Sequence, residues 1–424
     1  TNSHGTHVTG IVSARTNNGV GVSGASYNAG IVAIKATNGG TGDDKDMFAS
    51  TTLANAYTWL FRASTEDSTK TNAEYHNIRV INMSLGGKHT TNFVGDDILT
   101  TKVKQAYEGV WIDTNRNETE HPSILTVVAA GNAATGITVP FVGYPGDYAY
   151  CMPVINLTRG YGWGTTNNVV KRYDTSNYNV DDTHIKNISA PGTSIRSTMN
   201  LAGQYGSKSG TSMAAPLVSG IASLIFTANP DLTADEVTDL IFATATDVED
   251  PGWDRETGYG EIDAYNALQI ASAELGGDEE IEYKNRNAVT IEYGDGTGWE
   301  TYGSTDDWEW SIDDSSTIEM VVDDDAQTVS LIGQKPGSAT VTATFKDIDG
   351  NPMEGITISK TYTVMPLDIS KATVTVSGEY AYTGHEVEPT PEVSMSGTEL
   401  IEGVDYTVSY SDNVAVGTAT VTIT

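Results

Sequence analysis

The sequence predicts an α/β domain with a mainly parallel sheet over residues 1–275, followed by two all-β sandwich domains. Three observations carry that division. Helix-like and strand-like segments alternate up to about residue 275, with glycine-rich turns between them. Beyond about residue 281 the helical spacing stops, and alternating Val, Thr, Ile and Tyr stretches separated by Gly, Asn and Asp take over. The segment Gly337-Ser338-Ala339-Thr340-Val341-Thr342-Ala343-Thr344 recurs as Gly417-Thr418-Ala419-Thr420-Val421-Thr422-Ile423-Thr424, 80 positions later, so one strand-forming element occurs twice. The expected domains are 1–275, then 276–366 opening on the charged linker Gly276-Gly277-Asp278-Glu279-Glu280, then 367–424. The last of these stops within a strand-like pattern and is expected to be incomplete.

Within the first domain the elements follow in order. His4 and His7 stand three apart on a predicted helix, with His4 in its first turn. Phe48 to Ala63 carries Leu53, Ala56, Tyr57 and Leu60 at helical spacing and reads as a packing helix. Ile78 to Leu85, closed by Gly86-Gly87, and Ile124 to Ala130, closed by Gly131-Asn132, are short, β-branched and glycine-terminated, as buried strands are. Ser212 to Phe226 is rich in small and apolar residues on most sides and predicts a central buried helix, stopped by Pro230. Thr233-Ala234-Asp235-Glu236 is a capping box for a helix through Ala243, and Asp263 to Leu268 predicts one more.

Composition narrows the function classes. The 424 residues hold 23 basic and 56 acidic side chains, a formal net charge of -33, which repels nucleic acid and anionic membrane surfaces. The part from residue 276 onward carries -22 of it, against -11 for the first 275 residues. Such acidity suits a solvated surface and hard, oxygen-liking cations such as calcium. Cys151 is the only cysteine, so an intrachain disulfide and a multi-cysteine metal site are excluded. We find no run of about 18 consecutive apolar residues and expect no membrane span. The chain begins at Thr1 without a leader, and both ends are expected to be cut.

The chemistry-bearing residues are concentrated in a few strings. In Gly210-Thr211-Ser212-Met213-Ala214-Ala215-Pro216 a glycine-led turn puts Ser212 at a helix N-terminus, where backbone N–H groups point outward; alone, Gly-Thr-Ser would read as an ordinary helix cap. His4-x-x-His7 has metal-like spacing but lacks a third ligand nearby. Asn132 directly follows a buried strand and by itself reads as a turn residue.

Taken together, Asn2-Ser3-His4-Gly5-Thr6-His7-Val8-Thr9-Gly10 and the string from Gly210 to Pro216 resemble the histidine and serine motifs of the subtilisin-like serine proteases. The resemblance runs to about residue 268, where Gly258-Tyr259-Gly260-Glu261-Ile262-Asp263-Ala264 is similar to the family's domain-closing motif. It implies a three-layer subtilisin-like domain with His4 as general base, His7 as a packed partner, Ser212 as nucleophile and Asn132 as the side-chain oxyanion donor. It also implies substrate contacts along Ser84-Leu85-Gly86 and at Gly131, with Gly143 as the floor of the primary specificity pocket. The family's triad aspartate precedes its histidine by some tens of residues, whereas only Thr1, Asn2 and Ser3 precede His4. The acid is therefore expected upstream, and the chain as it stands is expected to be nearly inactive. No cofactor is required for this chemistry. Thr16-Asn17-Asn18-Gly19-Val20-Gly21-Val22 resembles a structural calcium loop, with Asn17 and Asn18 as candidate ligands and the remaining ligands expected upstream.

Insertions at Gly87 to His121 and Arg159 to Asp182 are expected to reshape the cleft. Residues 281–366, around Gly333-Gln334-Lys335-Pro336-Gly337, resemble bacterial immunoglobulin-like domains. The stretch with Tyr382-Thr383-Gly384 and Glu402-Gly403-Val404-Asp405-Tyr406 is similar to a related repeat on bacterial surface proteins. The resemblances imply a secreted or cell-surface bacterial endopeptidase acting on protein or peptide, with cell-wall or carbohydrate contact through the tail. The alternative is a non-catalytic binding or adhesion protein on a protease-like scaffold.

Overall fold

The computed structural model describes residues 3–36, 50–86, 98–112, 116–132, 145–146, 148–161, 168–179, 187–200, 204–294, 299–301, 305–347, 350–395 and 397–424. Up to residue 275 the elements are α1 (His4–Ser13), α2 (Ser50–Leu60), α3 (Asn72–Tyr75), β1 (Val80–Met83), α4 (Ile98–Glu108), β2 (Val110–Ile112), β3 (Glu118–Glu120), β4 (Leu125–Ala129), β5 (Cys151–Tyr161), β6 (Asn168–Arg172), β7 (Ile188–Pro191), β8 (Ile195–Thr198), β9 (Tyr205–Lys208), α5 (Thr211–Ala228), α6 (Ala234–Ala243), α7 (Ala264–Ala271) and β10 (Ala273–Leu275).

The central sheet is mixed. β1 pairs parallel with β4, β4 with β5, and the first half of β5 with β7, while the second half of β5 turns out into an antiparallel hairpin with β6. All five residues of β4 are buried, which requires both faces to be covered. Side chains alternate along a strand, and the packing follows that period. Thr126 and Val128 face α2 and α4, where the Thr126 hydroxyl meets the buried Tyr57 hydroxyl at 2.7 Å and Val128 joins Leu53, Leu60, Leu99 and Val103. Leu125, Val127 and Ala129 point the other way, toward α5, which lies across β1, β4, β5 and β7. The layers are thus helix, sheet and helix.

α5 is the central buried helix that the sequence predicts. It is long and apolar enough to cross a bilayer, although no uninterrupted apolar run marks it, because Thr, Ser, Pro and Gly are interspersed. Most of it is buried inside this domain, so it is a core helix. α6 follows as the capping box predicts, with the Thr233 hydroxyl accepting from the Glu236 N–H and Glu236 Oε2 accepting from the Thr233 N–H.

α1 lies against the β8–β9 hairpin at very short range. A Cβ on Gly10 would stand 2.3 Å from Thr198 Oγ1 and 2.4 Å from Ser197 Oγ. Those hydroxyls bind the helix directly, Ser197 Oγ donating to the His7 carbonyl at 2.7 Å and Thr198 Oγ1 to the Thr6 carbonyl at 2.8 Å. On its other side α1 meets α5 through Val8, Ile11 and Met213, with Ile195 and Leu217 alongside.

Among the described residues β1 forms one margin of the sheet, with β4 as its single neighbour. Earlier in the chain, Ile31 to Ala36 has no assigned helix or strand, and no main-chain hydrogen bond is formed by it among the described residues. Ile31, Val32 and Ile34 are 46%, 41% and 50% exposed, while Ala36 packs on the same core cluster as Ile81 and Leu85.

The remaining strands are β11 (Glu280–Glu282), β12 (Arg286–Val289), β13 (Ile291–Gly294), β14 (Trp299–Thr301), β15 (Trp308–Ile312), β16 (Ile318–Asp323), β17 (Thr328–Gly333), β18 (Gly337–Lys346), β19 (Pro352–Met365), β20 (Thr373–Thr375), β21 (Glu392–Met395), β22 (Thr398–Glu399), β23 (Val408–Ser411) and β24 (Thr420–Ile423). They form sheets in the orders β10-β13-β14, β11-β19-β18-β15, β12-β17-β16, β20-β21-β22 and β23-β24. Both copies of the internal repeat are strands, β18 and β24. β18 buries alternate residues Ala339, Val341, Ala343 and Phe345, whereas the equivalent Val421 and Ile423 of β24 are only half-buried. Contacts divide the chain into one unit of Thr1–Gly276, Thr290–Trp310 and Thr342–Ser359 and another of Gly277–Val289, Ser311–Val341 and Lys360–Thr424. β10 and β13, which pair antiparallel, belong to the first.

Gly10→Ala should force α1 off the hairpin hydroxyls and lower stability by about 1–3 kcal/mol, read from the urea midpoint; an unchanged midpoint would contradict the close packing.

Candidate active site

α5 begins on a residue that cannot cap it. Gly210 occupies the N-cap position at φ 143, ψ 170, and glycine has no side chain to accept the first amides. The missing acceptor comes from the turn after β4, where Asn132 Oδ1 accepts the Thr211 N–H at 3.1 Å. In return the buried Thr211 hydroxyl accepts the Gly131 N–H at 3.1 Å. A Cβ on Gly210 would sit 3.2–3.3 Å from the Asn132 amide, so glycine is required for this approach as well as for the backbone angle.

Because Oδ1 is committed to Thr211, the Asn132 Nδ2 group is directed elsewhere, and among the described residues it donates to nothing. The Ser212 N–H, in the first turn of α5, is likewise without an acceptor among them. Two unspent donors therefore belong to residues at the N-terminus of α5, Ser212 itself and the Asn132 that caps its neighbour, and the helix dipole favours negative charge there. That arrangement can hold an oxyanion.

The Asn132 turn is braced from behind. Gly131, at φ +101, accepts the Asn177 N–H at 2.9 Å, and Asn132 bridges to Ser176. Arg172 Nη1 donates to the Ser176 carbonyl at 2.7 Å, its Nε pairs with Glu256 at 3.0 Å, and its guanidinium covers the Tyr178 ring. With its N–H and C=O already engaged, Gly131 shapes the turn through its backbone angle.

His4 is the first residue of α1. The start of that helix is pinned by Ser3, whose hydroxyl donates to Asn200 Oδ1 and accepts from the Asn200 N–H. The His4 ring is half-buried and makes no hydrogen bond among the described residues. Burial, then Lys208, then His7 hold its pKa below the ordinary 6.5, so it is neutral at neutral pH and able to accept a proton. Its partner His7 is fully buried, with Nε2 within 3.0 Å of both the Ile195 and Gly206 carbonyls and Nδ1 unpartnered. That pattern places the single proton on Nε2. Burial dominates and lowers the His7 pKa against the opposing pull of the two carbonyls. Its role is to fasten α1 to the hairpin.

Ser84, Leu85 and Gly86 continue β1 past its last pair. Ser84 Oγ donates to the Ser212 carbonyl at 2.9 Å, and Ser212 Oγ donates to the Ser84 carbonyl at a long 3.4 Å. The main-chain groups of Leu85 and Gly86 are unpaired among the described residues, as a segment that adds a peptide strand would need. Gly143 lies outside the described residues. Asn17 stands at φ 57, and Asn18 Oδ1 accepts the Val20 N–H at 2.9 Å. Two neutral amides on one exposed turn supply too few oxygens for calcium by themselves. A cavity of about 520 Å³ lined by Arg159, Glu249, Glu261 and Asp263 contains none of the site residues.

Residues 1–260 match the peptidase S8 profile, described as the subtilase family, over more than half of the chain. The chain belongs to the subtilase family. Among similar subtilases, subtilisin NAT of Bacillus subtilis subsp. natto is 32% identical over 244 residues, 58% of this chain and 51% of that protein. The halolysin-like extracellular serine protease Nep of Natrialba magadii is 30% identical over 355 residues, 82% of this chain and 54% of that protein. A solved protease structure from Pseudoalteromonas arctica aligns at 28% identity with a TM-score of 0.46, covering 63% of this chain and 71% of that one. This subtilase chain spans about half the length of the curated relatives it matches.

Thr211, Asn177 and Arg172 are parts of the site that sequence reasoning does not reach. Thr211 and Asn177 reach Gly131 from tens of positions away, Arg172 acts through Ser176 four positions on, and only Thr211, inside the serine string, carries a local signal.

Thr211→Val should strand the Gly131 N–H and destabilise by about 1–3 kcal/mol, whereas Thr211→Ser should not; equal unfolding midpoints for all three would contradict the reciprocal cap. The lowered pKa values of His4 and His7 mean that the unfolded chain binds more protons just below pH 6.5. Their contribution to stability is present above that pH and lost as pH falls through the folded values. His7→Gln should flatten the acid-side decline in urea midpoint relative to the unsubstituted chain.

Proposed function

We propose that this subtilase is a secreted serine endopeptidase in which Ser212 is the nucleophile, His4 the general base, and Asn132 Nδ2 with the Ser212 N–H the oxyanion donors. The observation that carries this reading is the pair of unspent donors beside Ser212 at the N-terminus of α5. In the reaction the Ser212 oxygen attacks the scissile carbonyl carbon as His4 takes the hydroxyl proton. The carbonyl oxygen gains the negative charge and the two donors meet it. Collapse of the adduct expels the amine, which takes the proton back from His4 and leaves an acyl-enzyme. Water, deprotonated by His4, then releases the acid and restores Ser212.

The orienting carboxylate is assigned to a strand outside these 424 residues that enters between β1 and Ile31–Ala36. Support comes from β1 having one neighbour among the described residues, from Ile31–Ala36, which makes no main-chain bond among them and packs Ala36 on the same cluster as Ile81, and from a His4 ring with no carboxylate bonded to it among them. A carboxylate at His4 would stabilise the imidazolium and raise its pKa.

A fluorophosphonate probe should label the 424-residue chain at Ser212, and Ser212→Ala should abolish that labelling; labelling that survives the substitution would overturn the nucleophile assignment. A chain extended upstream through the acid-bearing strand should cleave peptides about 10⁴-fold faster than the 424-residue chain, with the acid limb of its pH profile moved to higher pH. In that extended chain Asn132→Ala should lower kcat by about 10²–10³ with little change in KM. No gain in cleavage on extension would overturn the strand assignment.

A further inference from the structure

Helix α5 contains a proline at the one position that bears on the nucleophile. In an α-helix the N–H of each residue bonds the carbonyl four positions back, so the carbonyl of Ser212 would be taken by residue 216. That residue is Pro216, which has no N–H, so the Ser212 carbonyl is left without its helical partner. The vacancy is filled from the sheet by Ser84 Oγ at 2.9 Å.

A serine hydroxyl has one proton, and here it is spent on Ser212, so any further bond at Ser84 Oγ must be accepted. Asn82 Nδ2 donates it at 3.1 Å. Asn82 stands two positions before Ser84, hence on the same face of the strand. Its amide is oriented in turn by Ser219, whose hydroxyl lies 3.0 Å from Asn82 Oδ1 and 2.9 Å from the Ala215 carbonyl. Ser219 is buried and follows Ser212 by seven residues on α5, two turns along the same face. From Asn82 the donors run one way, to Ser84 and on to the Ser212 carbonyl, while the single Ser219 proton is shared between Asn82 Oδ1 and the Ala215 carbonyl. The end of β1 therefore grips α5 at two points, and the outer one is the nucleophile's own peptide group.

We propose that Asn82 is a positioning residue for the nucleophile: acting through Ser84, it fixes the Ser212 main chain against the end of β1. The segment assigned to peptide binding thereby also sets where the attacking oxygen stands. This rests on the reading of Ser212 as nucleophile. The bond to Ser84 is made to the backbone of Ser212, so losing it would let the first turn of α5 shift, and with it both Ser212 Oγ and the Ser212 N–H.

The test compares labelling of Ser212 by a small alkyl fluorophosphonate, which has no peptide to place on the strand, in the 424-residue chain and its variants. Asn82→Ala and Ser84→Ala should each slow labelling about tenfold, a loss in line with a sub-ångström misplacement of the attacking atom. Ser84→Thr keeps the hydroxyl and should be slowed less than Ser84→Ala. Pro216→Ala on the Ser84→Ala background supplies a backbone N–H for the Ser212 carbonyl and should recover most of the lost rate. Hydrogen exchange at the Ser212 and Met213 amides should quicken in Asn82→Ala and Ser84→Ala and slow again in the double variant. Unchanged labelling and exchange in both single variants would overturn the proposal and leave Ser84 as a peptide contact. A failure of the unsubstituted chain to label at Ser212 would remove the nucleophile reading and this proposal with it, whereas normal labelling with unchanged exchange removes this proposal alone.

Discussion

A helix that starts on glycine must find its cap in another part of the molecule. In this subtilase α5 takes it from the Asn132 side chain, and the Thr211 hydroxyl takes the Gly131 N–H in exchange. Two segments about 80 residues apart are thus joined at the end of the central helix, each satisfying a polar group that the other leaves open. The orientation of the Asn132 amide, the exposure of the Ser212 N–H and the need for glycine at 210 all follow from that exchange. A side chain at 210 that capped the helix locally would release Asn132 and fill the space beside it.

Placement of that exchange depends on the three layers beneath it. β4 delivers Gly131 and Asn132 at its C-terminal end, β1 delivers Ser84 at the same end, and α5 crosses under both. Ligands gather at this end of parallel strands because loops and helix N-termini meet there. The antiparallel hairpin of β5 and β6 sits beside them, and Arg172 at its end reaches the turn that backs Asn132.

The features legible in the sequence are those written locally. The strings around His4 and Ser212 carry their helix starts with them, the Thr233–Glu236 box is complete within four residues, and β1 and β4 are short apolar runs ended by glycine. The small-residue string after Gly210 marks the central helix to within two residues at each end, although Pro, Ser and Gly interrupt it too often to register as an apolar run. The bonds that give the site its shape are not legible. Thr211 to Gly131, Asn177 to Gly131 and Ser84 to Ser212 depend on strand order and register, which no window of sequence contains. The pairing of β10 with β13 across the glycine-rich stretch after residue 275 is hidden for the same reason.

The attachment of α1 bears on how His4 and Ser212 are held relative to one another. Thr6, His7 and Gly10 tie the helix to the β8–β9 hairpin and Ser3 ties its start to Asn200, so His4 is held to that side of the domain. Ser212 is held at the ends of β1 and β4, through Ser84 and through Asn132 on its neighbour Thr211. Between these two attachments lies the small apolar contact of Val8, Ile11 and Met213, backed by Ile195 and Leu217. The relative placement of His4 and Ser212 therefore depends on the volume of a few apolar side chains packed between α1 and α5.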